Sequence, residues 1–154
     1  MQLTKNFTLQ EMTVSQTATR HGLDNEPSGP EISELLGLCT GVLQPARDEF
    51  GSITVSSGFR GKELNTKIGG ATTSQHCKGQ AADIWASRVD RYALAKWIAE
   101  NTEFDQLILE GFTRDNPKVG WVHVSHRKDG KNRKEILIAD FTSGKVKYSD
   151  YSFT

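Results

Sequence analysis

Two cysteines in 154 residues are too few for a disulfide framework, and Cys39 and Cys77 read as reduced thiols. An excess of one charge is also lacking: nineteen lysines and arginines balance nineteen aspartates and glutamates, which excludes a global basic field for nucleic acid. No segment approaches the roughly 20 apolar residues of a membrane span. Residues 1–10, MQLTKNFTLQ, hold no continuous apolar stretch of the signal-peptide kind. The expectation is a protein made in the cytoplasm without a classical signal, monomeric, with neither a membrane nor nucleic acid as partner. Internal repeats and low-complexity tracts are lacking too. What remains, 36% hydrophobic and 25% charged, has the balance of one soluble globular domain over residues 1–154.

Histidine is scarce as well, with four in the chain. His76 and Asp83 stand seven positions apart in TTSQHCKGQAADIW (72–85), with Gly79 between them and an apolar run at the second. In a loop that feeds a strand, this spacing lets both side chains converge on one point. Zinc binds imidazole nitrogens and carboxylate oxygens at about 2.0–2.2 Å, and a hydrolytic site takes three protein ligands and keeps one position open. A third ligand is therefore needed. His21 lies in a polar arm, whereas His123 and His126 lie in the strand-like segment 119–126. Alternation puts Trp121, His123 and Ser125 on one face and Val122, Val124 and His126 on the other, which makes His123 the better third ligand. Two histidines and a carboxylate also hold non-haem iron, but this chain lacks the many strands of an oxygenase barrel. Cys77, adjacent to His76, points to the opposite side of an extended segment and reads as an ordinary thiol.

Thr8-Leu-Gln-Glu11 has the pattern of a capping box and predicts a short helix. A further turn is expected between Thr13 and His21, and residues 22–30 form a surface loop, so this arm straps across the back of the domain. After Pro30, the residues Ile32, Leu35, Leu36, Cys39, Val42, Leu43 and Ala46 recur at three- and four-residue spacing. They predict one long core helix to about Phe50, ended by Gly51. A strand at 53–56, a helix at 61–68 and a strand at 80–85 follow. Ser87-Arg-Val-Asp90 predicts a capped helix to about Glu100 with Tyr92, Ala95, Trp97 and Ile98 on its apolar face. Strands are expected at 104–110, 119–125 and 135–139, with an edge strand in the tail. This order fits an α+β domain with a small, mostly antiparallel sheet backed by helices.

Arg60 follows the end of the first strand, where loops display functional groups on a rigid scaffold. Its fork suits a substrate carboxylate or a developing oxyanion; the competing reading is a surface ion pair with Glu63.

Together, Ser74-x-His76-x-x-Gly79-x-Ala81-x-Asp83, Trp121-Val122-His123, Ser56-Ser57-Gly58-Phe59-Arg60 and Leu64-Asn65 resemble the zinc D-alanyl-D-alanine carboxypeptidase family, from about Phe7 to Ser125. That family includes the vancomycin-resistance dipeptidases and phage L-alanyl-D-glutamate endopeptidases, and shares its core with the lysostaphin and hedgehog folds. The resemblance implies a zinc peptidase acting on peptidoglycan stem peptides, with one zinc on His76, Asp83 and His123 and with Arg60 as the substrate-binding arginine. Ser74 is a candidate for holding substrate or orienting its loop, since no histidine is left to activate it as a nucleophile.

The carboxypeptidase relatives place an acid three residues before the last histidine, and the lysostaphin-like ones place a histidine two before it. Here those positions are Gly120 and Trp121. The general base is therefore sought elsewhere. Glu110 is the choice, because pairing of its strand with 119–125 brings its carboxylate toward His123; Asp115 on the next loop is the alternative. The expected setting is a phage or prophage lysin, or an enzyme carried in a virion, that reaches the wall after release. The competing function is a zinc-bearing wall-binding or structural module without catalysis. Trp85 and Trp121 read as lining either a cleft or the core.

Overall fold

The computed structural model describes residues 1–113, 115, 116 and 118–153. Thr8 accepts a hydrogen bond from the Glu11 N–H and opens α1 (Leu9–Thr13), and Ser15 does the same from Ala18 for α2 (Gln16–Arg20). The arm contributes to the core as well as crossing it: Phe7 and Met12 are buried, and the Met12 carbonyl accepts the Phe59 N–H at 2.8 Å.

The expected long helix is present in three pieces: α3 (Gly29–Leu38), a π turn (Cys39–Leu43) and α4 (Gln44–Phe50). Pro45 accounts for the break. It has no N–H to donate, and in a regular α-helix its ring would meet the carbonyl of Gly41, so a wider turn before it relieves both problems. Gly51, at φ 80°, ends the run as expected.

After β1 (Ile53–Ser57) and α5 (Lys62–Lys67), the chain passes through a 3₁₀ turn (Gln75–Lys78) into β2 (Ala81–Ala86). Helix α6 (Arg91–Asn101) starts later than Ser87 would have placed it. Its cap is Asp90, which accepts from the Ala93 N–H at 2.7 Å. A carboxylate there also complements the positive end of the helix dipole, which favours Asp90 over the serine. Leu94, Ala95 and Ile98 are buried, while Tyr92 and Trp97 pack at the core's edge.

Strands β3 (Gln106–Glu110), β4 (Trp121–Ser125), β5 (Glu135–Asp140) and β6 (Lys147–Asp150) complete a six-stranded sheet in the order β1-β2-β4-β3-β5-β6. Only the β3–β5 pairing is parallel among the named strands, so the α+β, mostly antiparallel expectation holds. One face, with Ala82, Ile84, Leu107, Leu109, Val122 and Val124 buried, packs on the helices. The other face carries Asp83, His123 and Glu110. A slip of one residue would exchange the two faces and drive the charged set into the core, so apolar burial fixes the register that builds the site. No helix among the described residues is long and apolar enough to cross a membrane.

Candidate metal centre

Asp83 on β2 and His123 on β4 are direct cross-strand partners. Such pairs place side chains of one face within about 5 Å of each other, and here His123 Nδ1 lies 3.1 Å from Asp83 Oδ1. His76 arrives from the 3₁₀ turn, where Ser74 Oγ accepts the His76 N–H at 3.2 Å and Gly79, at φ 73°, ends the turn. The carbonyl of Gly58 can only accept, so His76 Nδ1 donates to it at 2.7 Å and leaves Nε2 bare, 3.4 Å from Asp83 Oδ1. Gly58 is required there: a Cβ would stand 2.3 Å from the Met12 carbonyl oxygen.

The three candidate ligand atoms lie within 4.8 Å of one another. A tetrahedral ion with bonds of about 2.0–2.1 Å has ligand–ligand edges of about 3.3–3.4 Å, and the two separations to Asp83 Oδ1 match that spacing. Protonation fits as well. Burial holds the His76 imidazole below its ordinary range, in the neutral form a metal takes. Burial alone would raise Asp83, but its hydrogen bonds and charge contacts with His123 and His76 prevail and hold the carboxyl well below the usual range.

Arg60 stands on the β1 side of these ligands. Its partners are not Glu63: Nε donates to Ser57 Oγ at 3.1 Å, Nη1 donates to Asn65 Oδ1 at 3.2 Å, and Nη2 lies 3.6 Å from Asp83 Oδ2. Asn65 is itself buried and donates to the Ala71 carbonyl, which ties α5 to the loop before His76. The guanidinium is thus fixed on two sides and faces a cleft of about 1140 Å³ whose lining includes Ser74, Asp83, His123 and Glu110.

Glu110 reaches the cleft from the β3 side, where it is paired with Trp121, and Ile108 is opposite His123. Burial raises its carboxyl above the ordinary range; His123 opposes that rise and Asp83 adds to it. The Trp121 indole nitrogen is buried near this carboxylate and opposes the rise without a well-formed hydrogen bond. Gly120 explains why no acid stands three residues before His123. It sits at φ 78°, and a Cβ would lie 2.1 Å from the Glu110 carbonyl oxygen.

The alternatives fall elsewhere. Asp115 is exposed on the loop after Glu110, and His126 packs against Gly37 and Gly41 of the helix layer. Cys39 and Cys77 are both free thiols. Sequence reasoning missed two features. Asp105, 1% exposed, accepts from the Arg133 side chain and backbone and from Gln75 Nε2, and so bolts the turn before His76 to the start of β5. Tyr148 on β6 lines the same cleft. An acid just before a strand and one of three aromatics in a polar tail were the only available signals.

The model of the Peptidase M15 family matches residues 5–125. Over 76 residues the chain is 38% identical to the zinc D-Ala-D-Ala carboxypeptidase of Streptomyces albus G, an alignment that covers 48% of this chain and 29% of that protein. The match thus spans under a third of that relative's length.

Proposed function

Because the chain belongs to the peptidase M15 family, we propose that it is a zinc-dependent peptidase that hydrolyses peptide bonds in peptidoglycan stem peptides. The observation that carries this reading is the convergence of His76 Nε2, His123 Nδ1 and Asp83 Oδ1 in a cleft that also presents Arg60 and Glu110. Zinc held by that set supplies Lewis-acid polarisation of the scissile carbonyl and a water activated near neutral pH.

The protein's own groups do the rest. Glu110 takes the proton from the attacking water and returns it to the leaving amine, work that suits a carboxyl raised above its ordinary range. Arg60, held by Ser57 and Asn65, binds the substrate carboxylate or the oxyanion that develops. Ser74 orients the His76 turn through its hydroxyl and faces the cleft, where it also contacts substrate. The finer reading is cleavage of the D-alanyl-D-alanine or L-alanyl-D-glutamate type by a lysin or virion-associated enzyme; the name of the Streptomyces relative supports the former bond.

The test is digestion of defined muropeptides with and without chelator, with the fragments read by mass spectrometry. Chelator-sensitive release of one fragment supports the reading and identifies the bond, whereas no release by the zinc-loaded protein contradicts it. His76→Ala, Asp83→Ala and His123→Ala should each lose zinc and release, while His126→Ala keeps both. Stoichiometric zinc in all three ligand variants would sink the ligand set.

A further inference from the structure

The family match ends at residue 125, and β5 and β6 lie beyond it, extending the sheet on the Glu110 side. Strand register puts Trp121, Glu110, Ala139 and Tyr148 in one row across β4, β3, β5 and β6. Members of a row share a face, here the face that carries Asp83 and His123. Between Glu110 and Tyr148 stands alanine, fully buried, whose methyl leaves the space above it to its neighbours. Two strand spacings of about 4.8 Å separate Glu110 from Tyr148, a gap that a glutamate and a tyrosine reaching toward each other can close.

Both residues line the one cleft together with His123 and Arg60. The Tyr148 side chain is 56% exposed, and among the described residues its hydroxyl makes no hydrogen bond. Burial and the charges of Glu110 and Asp83 raise its pKa, so at neutral pH the phenol keeps its proton and is a donor. Strand order places Arg60 after β1 at one flank of the ligands and Tyr148 on β6 at the other.

We propose that Tyr148 is a substrate-contacting residue of this site, its phenol O–H donating to a carbonyl or carboxylate oxygen of the bound peptide on the Glu110 side of the ligands, opposite Arg60. This rests on the peptidase reading, in which Glu110 delivers a proton to the leaving amine, so the oxygen that Tyr148 holds is on the C-terminal side of the scissile bond. Tyr148 thereby fixes which end of the peptide lies toward β6. It does so with a strand outside the matched region, where the family pattern gives no guide.

The test combines Tyr148→Phe with a direct contact readout. The chain has three tyrosines, so ring-carbon labelling gives three resonances, and the one lost in Tyr148→Phe belongs to Tyr148. On titration with a peptidoglycan tetrapeptide or pentapeptide, that resonance should move. Tyr148→Phe should weaken peptide affinity and raise KM about 3- to 10-fold, the worth of one hydrogen bond, with kcat within about twofold and an unchanged melting temperature. A stationary Tyr148 resonance on saturation, or wild-type affinity in Tyr148→Phe, overturns the inference. If the wild type cleaves the peptide and either of these is seen, this inference alone fails. If it binds and moves the resonance without cleaving, the peptidase reading fails and the contact stands; neither binding nor cleavage overturns both.

Discussion

On the β2–β4 side of the cleft the candidate metal ligands are held by neighbours in the backbone's own pairing: Asp83 faces His123 across one ladder step, and His76 is locked by a hydrogen bond to the Gly58 carbonyl. On the β3–β6 side, Glu110 and Tyr148 sit two strands apart with Ala139 between them, and neither has a side-chain partner as fixed as those. The first arrangement brings the candidate ligand atoms within 4.8 Å of one another, the closeness that a single ion requires. The second leaves a half-buried carboxyl and an exposed phenol at one side of the cleft, suited to groups that move a proton or meet a substrate. The proposed metal binding and the proposed proton transfer thus fall on opposite sides of the cleft.

The strongest way to break this comparison is to remove the proton carrier while sparing the ligands. Glu110→Gln should keep one zinc and the fold, since the amide is nearly isosteric, yet lose about 10²-fold or more in kcat. A rate equal to wild type would move the base away from β3. Next in size is Gly120→Ala, which should destabilise the protein by about 1–3 kcal/mol, because the residue is at positive φ and the new Cβ meets the Glu110 carbonyl. Urea unfolding measures that loss, and an unchanged midpoint would show that position 120 can accept a side chain, which would remove the reason for the acid's placement on β3.

The two sides also differed in how far the sequence revealed them. The convergence of His76, Asp83 and His123 was legible because a loop-to-strand spacing and a two-residue alternation are local patterns, and the register they need is the one apolar burial enforces. Arg60 was legible from its place after a strand, though its grip by Ser57 and Asn65 in place of Glu63 required the tertiary fold. Glu110 could be reached only by assuming that β3 pairs with β4, and Tyr148 not at all, because its row depends on a parallel β3–β5 pairing between segments far apart in the chain. The long helix was read correctly in extent and wrongly in continuity, since the apolar spacing carried no trace of what Pro45 does to the preceding turn. The late start of α6 had a different origin, two cap residues competing for one helix.

Asp105 joins the sides and offers the smallest test. Burial alone would raise its carboxyl, but bonds from Arg133 and Gln75 hold it below the ordinary range. A depressed folded pKa contributes stability that is present above the unfolded value of about 4 and is lost as pH falls below it. Metal-free wild type should therefore exceed Asp105→Asn by about 1–2 kcal/mol at pH 7, with the gap closing below about pH 4. A gap that does not change with pH would mean that the ionised form contributes nothing specific.

The central claim is that one zinc is held by His76 Nε2, His123 Nδ1 and an Asp83 oxygen. Diffraction from zinc-grown crystals, recorded on both sides of the zinc absorption edge, tests it most directly. The account predicts a single anomalous peak within about 2.2 Å of those three atoms, with Nδ1 and not Nε2 of His123 as the ligand. A peak placed on any other residues, or none at full zinc loading, would contradict it.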